Sequence, residues 1–388
     1  MRVLYFTRDY TPHDHRFLTS LVDSGHEVHY LRLERRGHQQ EDRALPPAVH
    51  QVHWAGGQKP FEWRDLPVLY RSLRRVLREV QPDVVQAGPI QTAAFLVALA
   101  GCRSLAATSW GSDLLKDADR STVYRWITRF TLRRAQVLIG DCQAVQDKAV
   151  EFGVPADRVY AFPWGIDLER FHPDCGDDAR ARAFRERQGW QNSFVILSLR
   201  SWEPVYGVDV MLRGFARACQ AVETSGEPVP DLRLLMLGGG SQAPLVHRII
   251  QENHLEERVY LGGQVKQADL PMMYHAADLY LSAAHSDGSS VSLMEALGSG
   301  LPVLITDIAS NREWVTHGKE GWLFPDGDDG AVAECILRAA RLTTEERAAI
   351  RARSRARAEQ RANWKENFQV LLAAYRRAAA LARPGDRA

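Results

Sequence analysis

Residues 279–306 read L-Y-L-S-A-A-H-S-D-G-S-S-V-S-L-M-E-A-L-G-S-G-L-P-V-L-I-T. Leu279–Ser282 and Val303–Thr306 are short apolar runs, and Ser290–Leu297 between them has a helical pattern. Strand, helix and strand in so short a span require a crossover between parallel strands. Asp287 and Glu295 have seven residues between them, one in the Gly-Ser loop and the other about two turns into the helix. The first turn of a helix has unpaired N–H groups that hold anions. Loop and helix can therefore present two carboxylates and an anion site to one ligand bearing phosphates and hydroxyls. A plainer reading stands beside it. Asp287-Gly288 is a common turn pair, and Ser292-Leu-Met-Glu295 fits a capping box.

The same alternation runs almost from end to end. Predicted strands are Val3–Thr7, Val28–Leu33, Asp83–Ala87, Leu105–Ser109 and Val137–Asp141, then Phe194–Leu199, Leu232–Leu237 and Val259–Gly262. Helices are predicted at Phe17–Ser24, Leu69–Val80, Tyr124–Arg134 and Val208–Arg217, with a solvated one over Thr344–Arg361. The strands are rich in Val, Ile and Leu without strict alternation, as expected for parallel sheets covered on both faces. The 388 residues suit two domains. Proline, glycine and charge between Phe162 and Arg187 mark the connection, including the polar run that begins at Cys175. The expected α/β architecture is two doubly wound sheets facing across a cleft: an acceptor-side domain over 1–165, a nucleotide-binding domain over 166–362, and an amphipathic helix within 363–388. Ligands of such sheets bind beyond the strand C-termini.

Composition narrows the function. Hydrophobic residues make up 45% and charged residues 25%, and the formal net charge is +1, which gives no global drive toward nucleic acid. Five scattered cysteines with no C-x-x-C pair argue against a disulfide framework and a zinc site. No apolar run reaches spanning length, so the chain reads as cytoplasmic, with any membrane contact peripheral. Tyr124–Arg134 mixes basic and aromatic residues; an ordinary helix with an arginine face is the first reading and a membrane-surface helix the second.

Candidate site residues fall at strand ends. Arg200 follows Phe194–Leu199 and suits a phosphate, or else pairs with Glu203 or Asp209. Gly238 and Gly239 let backbone approach a ligand, as does the glycine pair before Val265. There is no G-x-G-x-x-G, which disfavours a dinucleotide oxidoreductase. In the first half, His13, Asp14 and His15 follow the first strand; Trp110 and Asp113 lie in S-W-G-S-D, where Trp110 either stacks on a sugar or simply packs. No metal-ligand cluster is evident.

Together these residues resemble the retaining glycosyltransferases of family 4, which have the GT-B fold. Asp287…Glu295 with A-L-G-S-G-L-P-V-L is similar to the family's E-x7-E segment, and F-P-W-G-I-D-L-E-R-F-H-P to its interdomain linker. L-G-G-G, Y-L-G-G-Q-V and E-W-V-T-H-G-K-E-G-W-L-F-P-D-G-D resemble further family motifs. The resemblance implies a metal-independent enzyme that uses no cofactor and takes a nucleoside diphosphate sugar, with a UDP-sugar favoured, to a glycan, lipid-linked or small-molecule hydroxyl. It implies that Glu295 binds ribose and that Asp287 with Gly288, Ser289, Ser290, Val291 and Ser292 holds sugar and diphosphate. It also implies that Arg200 neutralises the leaving group and that Val265 lies by the base. Four departures stand out: Asp287 where Glu is usual, Tyr206 in a lysine's place, Trp110 in a histidine's, and H-D-H-R for a glycine pair. They keep two other readings in play, a silent sugar-nucleotide binder and a sugar-nucleotide hydrolase or epimerase.

Overall fold

The computed structural model describes residues 1–35, 41–174, 178–225 and 229–382. The chain divides into two units. One is Met1–Trp164 together with the tail from Lys365 onward, and the other is Gly165–Trp364. Cys175 and the start of its polar run lie outside the described residues; Cys102, Cys142, Cys219 and Cys335 are free thiols.

The first unit is built on a seven-stranded parallel sheet. Its strands are β1 (Arg2–Thr7), β2 (Glu27–Arg32), β3 (Val49–Gln51), β4 (Val84–Ala87), β5 (Leu105–Thr108), β6 (Val137–Gly140) and β7 (Val159–Ala161). They lie in the order β3-β2-β1-β4-β5-β6-β7, so the direction of winding reverses between β1 and β4. The interior strands are buried on both faces, which is why they lack polar alternation. Helix Trp364–Ala382 closes this unit, with Tyr375 wholly buried and its hydroxyl donating to Gln86 Oε1 of β4.

The second unit holds β8 (Phe194–Ser198), β9 (Leu232–Leu237), β10 (Val259–Gly263), β11 (Leu279–Ser282), β12 (Val303–Thr306) and β13 (Gly321–Phe324). All pair in parallel in the order β10-β9-β8-β11-β12-β13. Winding reverses between β8 and β11, where a doubly wound sheet opens a crevice beyond its strand ends. Leu212, Phe215, Val332 and Ile336 cover one face as part of a continuous apolar core. Among the described residues no helix is long and apolar enough to cross a membrane.

Candidate functional site

The reversal point of the second sheet brings the opening stretch and Arg200 together. Arg200 stands just beyond β8, and the loop that follows β11 carries Asp287. Arg200 Nη2 lies 2.7 Å from Asp287 Oδ2. Its Nη1 donates to Ser290 Oγ at 2.7 Å and to Ser292 Oγ at 3.3 Å. The alternative partners fall away: Glu203 accepts from the backbone N–H of Ser241, and Asp209 pairs with Arg213. Arg200 Nε is buried and has no hydrogen-bond partner among the described residues.

Tyr206 occupies a single helical turn, Pro204–Tyr206, and its ring lies 4.2 Å from the Arg200 guanidinium carbon. That is cation–π distance, so the ring supports the arginine where a lysine would repel it. Gly207 ends the turn at φ +56°, and a Cβ there would sit 2.1 Å from the Ala283 carbonyl oxygen. Burial opposes the Arg200 charge, but Asp287 and the surrounding tyrosines hold its pKa above the ordinary value. Burial raises the Asp287 carboxyl, and Arg200 draws it back down. The Arg200 charge favours an ionised Tyr206, yet burial and Asp287 leave its hydroxyl raised.

Helix Val291–Gly298 is capped by Ser290, whose side chain accepts from the Leu293 N–H. The capping box expected of Ser292 and Glu295 is therefore not formed. The helix begins two residues earlier than that pattern assumes, and both side chains are turned to other work. Ser292 Oγ hydrogen-bonds the Tyr280 hydroxyl at 2.7 Å. Glu295, at 9% exposure, accepts from the Tyr274 hydroxyl at 2.8 Å. Gly288 N–H donates to Asp287 Oδ1 at 3.0 Å. Ser289 and Ser290 are buried, and Val291 is the first residue of the helix.

Two further loops lie at strand ends of this sheet. Gly238 follows β9 at φ +103°, and Gly239 has open space where a side chain would project. Val265 is half-buried in the loop after β10, whose register with β9 shifts between Leu261 and Gly263. Sequence reasoning missed Tyr274 and Tyr280. An aromatic residue in a helix or a strand reads as core, and both are indeed wholly buried. Only their hydroxyls reach the site.

In the first unit, the expected loop residues gather at the C-terminal ends of β1 and β5. Thr11 and Asp14 form a capping box at the helix Pro12–Asp23. Asp14 is buried, also accepts from Tyr5, and is pushed up to about 7 by that burial. His15 Nδ1 contacts the Tyr10 hydroxyl at 2.7 Å, and burial lowers its pKa. Trp110 is half-buried and packs against Phe17, Trp164 and His13. Asp113 Oδ1 accepts from Ser109 Oγ and from the N–H groups of Trp110 and Leu114, and its Oδ2 accepts from the Ile90 N–H. That carboxylate holds two strand-end loops together.

Residues 181–357 match the family described as glycosyl transferases group 1, and residues 13–170 match glycosyltransferase family 4. The chain belongs to the GT-B glycosyltransferases of family 4. It is 30% identical over 223 residues to a D-inositol 3-phosphate glycosyltransferase of Xylanimonas cellulosilytica, covering 54% of this chain and 51% of that one. It is 24% identical over 292 residues to a GDP-mannose-dependent alpha-(1-6)-phosphatidylinositol monomannoside mannosyltransferase of Mycolicibacterium smegmatis, covering 70% of each. The match to the first of these relatives thus spans about half its length. The fold is that of Anabaena HepE in complex with UDP and glucose, with a TM-score of 0.76 over 96% of this chain and 98% of that one at 20% identity.

Proposed function

We propose that this chain is a retaining, metal-independent glycosyltransferase that moves a sugar from a nucleoside diphosphate sugar to a hydroxyl acceptor in glycan or glycolipid assembly. One observation carries the proposal: Arg200, Asp287 and the Ser290-capped helix start converge at the reversal point of the second sheet. A diphosphate there would meet the Arg200 guanidinium and the N–H groups of the helix start. Glu295 would bind ribose hydroxyls and Asp287 the donor sugar. Gly238, Gly239 and Val265 would line the nucleotide end.

In the reaction the bond from the anomeric carbon to the diphosphate oxygen breaks, and the acceptor oxygen bonds that carbon from the same face. The acceptor proton passes to the departing diphosphate, whose growing charge Arg200 stabilises. Tyr206 keeps the guanidinium in place. His13, Asp14, His15, Trp110 and Asp113 belong to the proposed acceptor side, the last two by shaping loops. A UDP-sugar is the first donor to try, since the Anabaena neighbour binds UDP and glucose. The GDP-mannose dependence of the M. smegmatis relative makes GDP-sugars the second.

The test is a thermal-shift and product screen across UDP-, GDP- and ADP-sugars. A true donor at many times its dissociation constant stabilises by roughly 2–4 kcal/mol. Arg200→Ala should mainly lower turnover and Glu295→Gln should weaken donor binding, while EDTA leaves the rate unchanged. An inverted product anomer, or wild-type kinetics in both variants, overturns the assignment. Rapid nucleotide release without acceptor would favour a hydrolase, and tight binding without turnover a silent binder.

A further inference from the structure

Six large hydrophobic side chains are exposed among the described residues, and four of them lie on adjoining elements of the first unit: Trp63, Val68, Val123 and Trp126. Trp126 is 57% and Trp63 43% exposed. They are not scattered. Phe95 makes edge-to-face contact with both, at 6.2 Å to Trp63 and 6.3 Å to Trp126, and Phe61 and Phe130 extend the row on either side. Indole rings this open, gathered in one row, cost solubility unless something covers them.

Charge identifies the cover. Helices Leu66–Val80 and Thr122–Arg134 flank Phe95 and carry eight arginines between them against a single acid, Glu79, which pairs with Arg75. Arg71, Arg74, Arg78, Arg133 and Arg134 are exposed, and none makes an ion pair with a carboxylate among the described residues. A second copy of the chain would bring the same cations face to face. A bilayer with anionic headgroups matches both halves of the pattern: tryptophan suits the interface and arginine suits the phosphates.

We propose that this aromatic and arginine-rich face docks the protein on an anionic lipid surface. Binding is peripheral and salt-sensitive, because exposed charges are screened. The experiment is flotation of the full chain with phosphatidylcholine vesicles with and without phosphatidylglycerol. Binding is expected to the anionic vesicles only, lost at high salt. Neutralising arginines in Arg71→Gln and Arg133→Gln should reduce partitioning roughly fivefold for each. Trp63→Ala with Trp126→Ala should abolish it with the melting temperature and circular dichroism unchanged. Three results overturn the proposal: no binding at low salt, equal binding to neutral vesicles, or full binding by the tryptophan variant. So would a concentration-dependent dimer lost in that variant, or an oligonucleotide held by these residues while vesicles are not.

Discussion

Arg200 and Asp287 face each other at 2.7 Å, with side chains only 11% and 16% exposed. The cation nearest the proposed diphosphate position is thus already neutralised by the carboxylate that is proposed to hold the sugar. A diphosphate arriving there would compete with Asp287 for the guanidinium. Ring support from Tyr206 keeps Arg200 fixed during that exchange. The arrangement turns the missing lysine into a design with one cation, one competitor and one prop.

Asp287→Asn separates competition from catalysis. The variant is expected to bind nucleoside diphosphate more tightly than wild type, because Arg200 is released, while turnover falls roughly tenfold or more. Calorimetric titration with the diphosphate alone, set beside initial rates, reads both effects. Weaker diphosphate binding in the variant would show that Asp287 is no competitor.

On the proposed reading, Tyr274 would act through Glu295. Its buried hydroxyl donates to Glu295 Oε2 and fixes the carboxylate that is proposed to bind ribose. Tyr274→Phe should raise the donor KM roughly tenfold with kcat nearly unchanged, the loss of one hydrogen bond to a charged group. A lowered melting temperature with no change in KM would make Tyr274 a packing residue only.

Gly207 tolerates no side chain. Its φ of +56° and the Ala283 carbonyl oxygen, which an added Cβ would meet at 2.1 Å, act together. Gly207→Ala is expected to destabilise the fold by more than about 2 kcal/mol in denaturant titration. Whatever protein survives should turn over slowly, since the change displaces the turn that carries Tyr206. Wild-type stability would contradict the strain.

Asp14 gives the first unit a pH-dependent stability. Burial raises its carboxyl to about 7, well above the unfolded value, so the folded state holds a proton that the unfolded state has lost. Its contribution is fully present at acid pH below the unfolded value, and is lost as pH climbs through about 7. The swing is on the order of 4 kcal/mol. Asp14→Asn should therefore look more stable relative to wild type at pH about 8 than at about 5. A stability difference that does not change with pH would refute this.

The central strands were legible because they are buried on both faces, and the runs Val3–Thr7, Phe194–Leu199 and Val303–Thr306 carry that fact in their composition. Three edge strands were not. Val49–Gln51, Val159–Ala161 and Gly321–Phe324 are short, and each includes exposed or half-buried residues, so nothing local separates them from loop. Arg200 and Asp287 were both singled out, but their mutual contact spans the reversal of the sheet and belongs to topology. Ser292 and Glu295 had the spacing of a cap and not the role, because Ser290 holds the helix start. The donors to Asp113 come partly from Ile90, far off in sequence, which no spacing rule anticipates.

Helix Trp364–Ala382 lies at the far end of the chain, yet from Lys365 it belongs to the unit that begins at Met1. The unit translated first is therefore the one completed last: the nascent Met1–Trp164 must wait through synthesis of the entire second sheet before Tyr375 can reach Gln86. During that interval the surface around Gln86 is uncovered, while Gly165–Trp364, a continuous segment, can fold as it emerges. Biosynthesis of this protein is predicted to run in reverse order of its map, with the second unit maturing before the first.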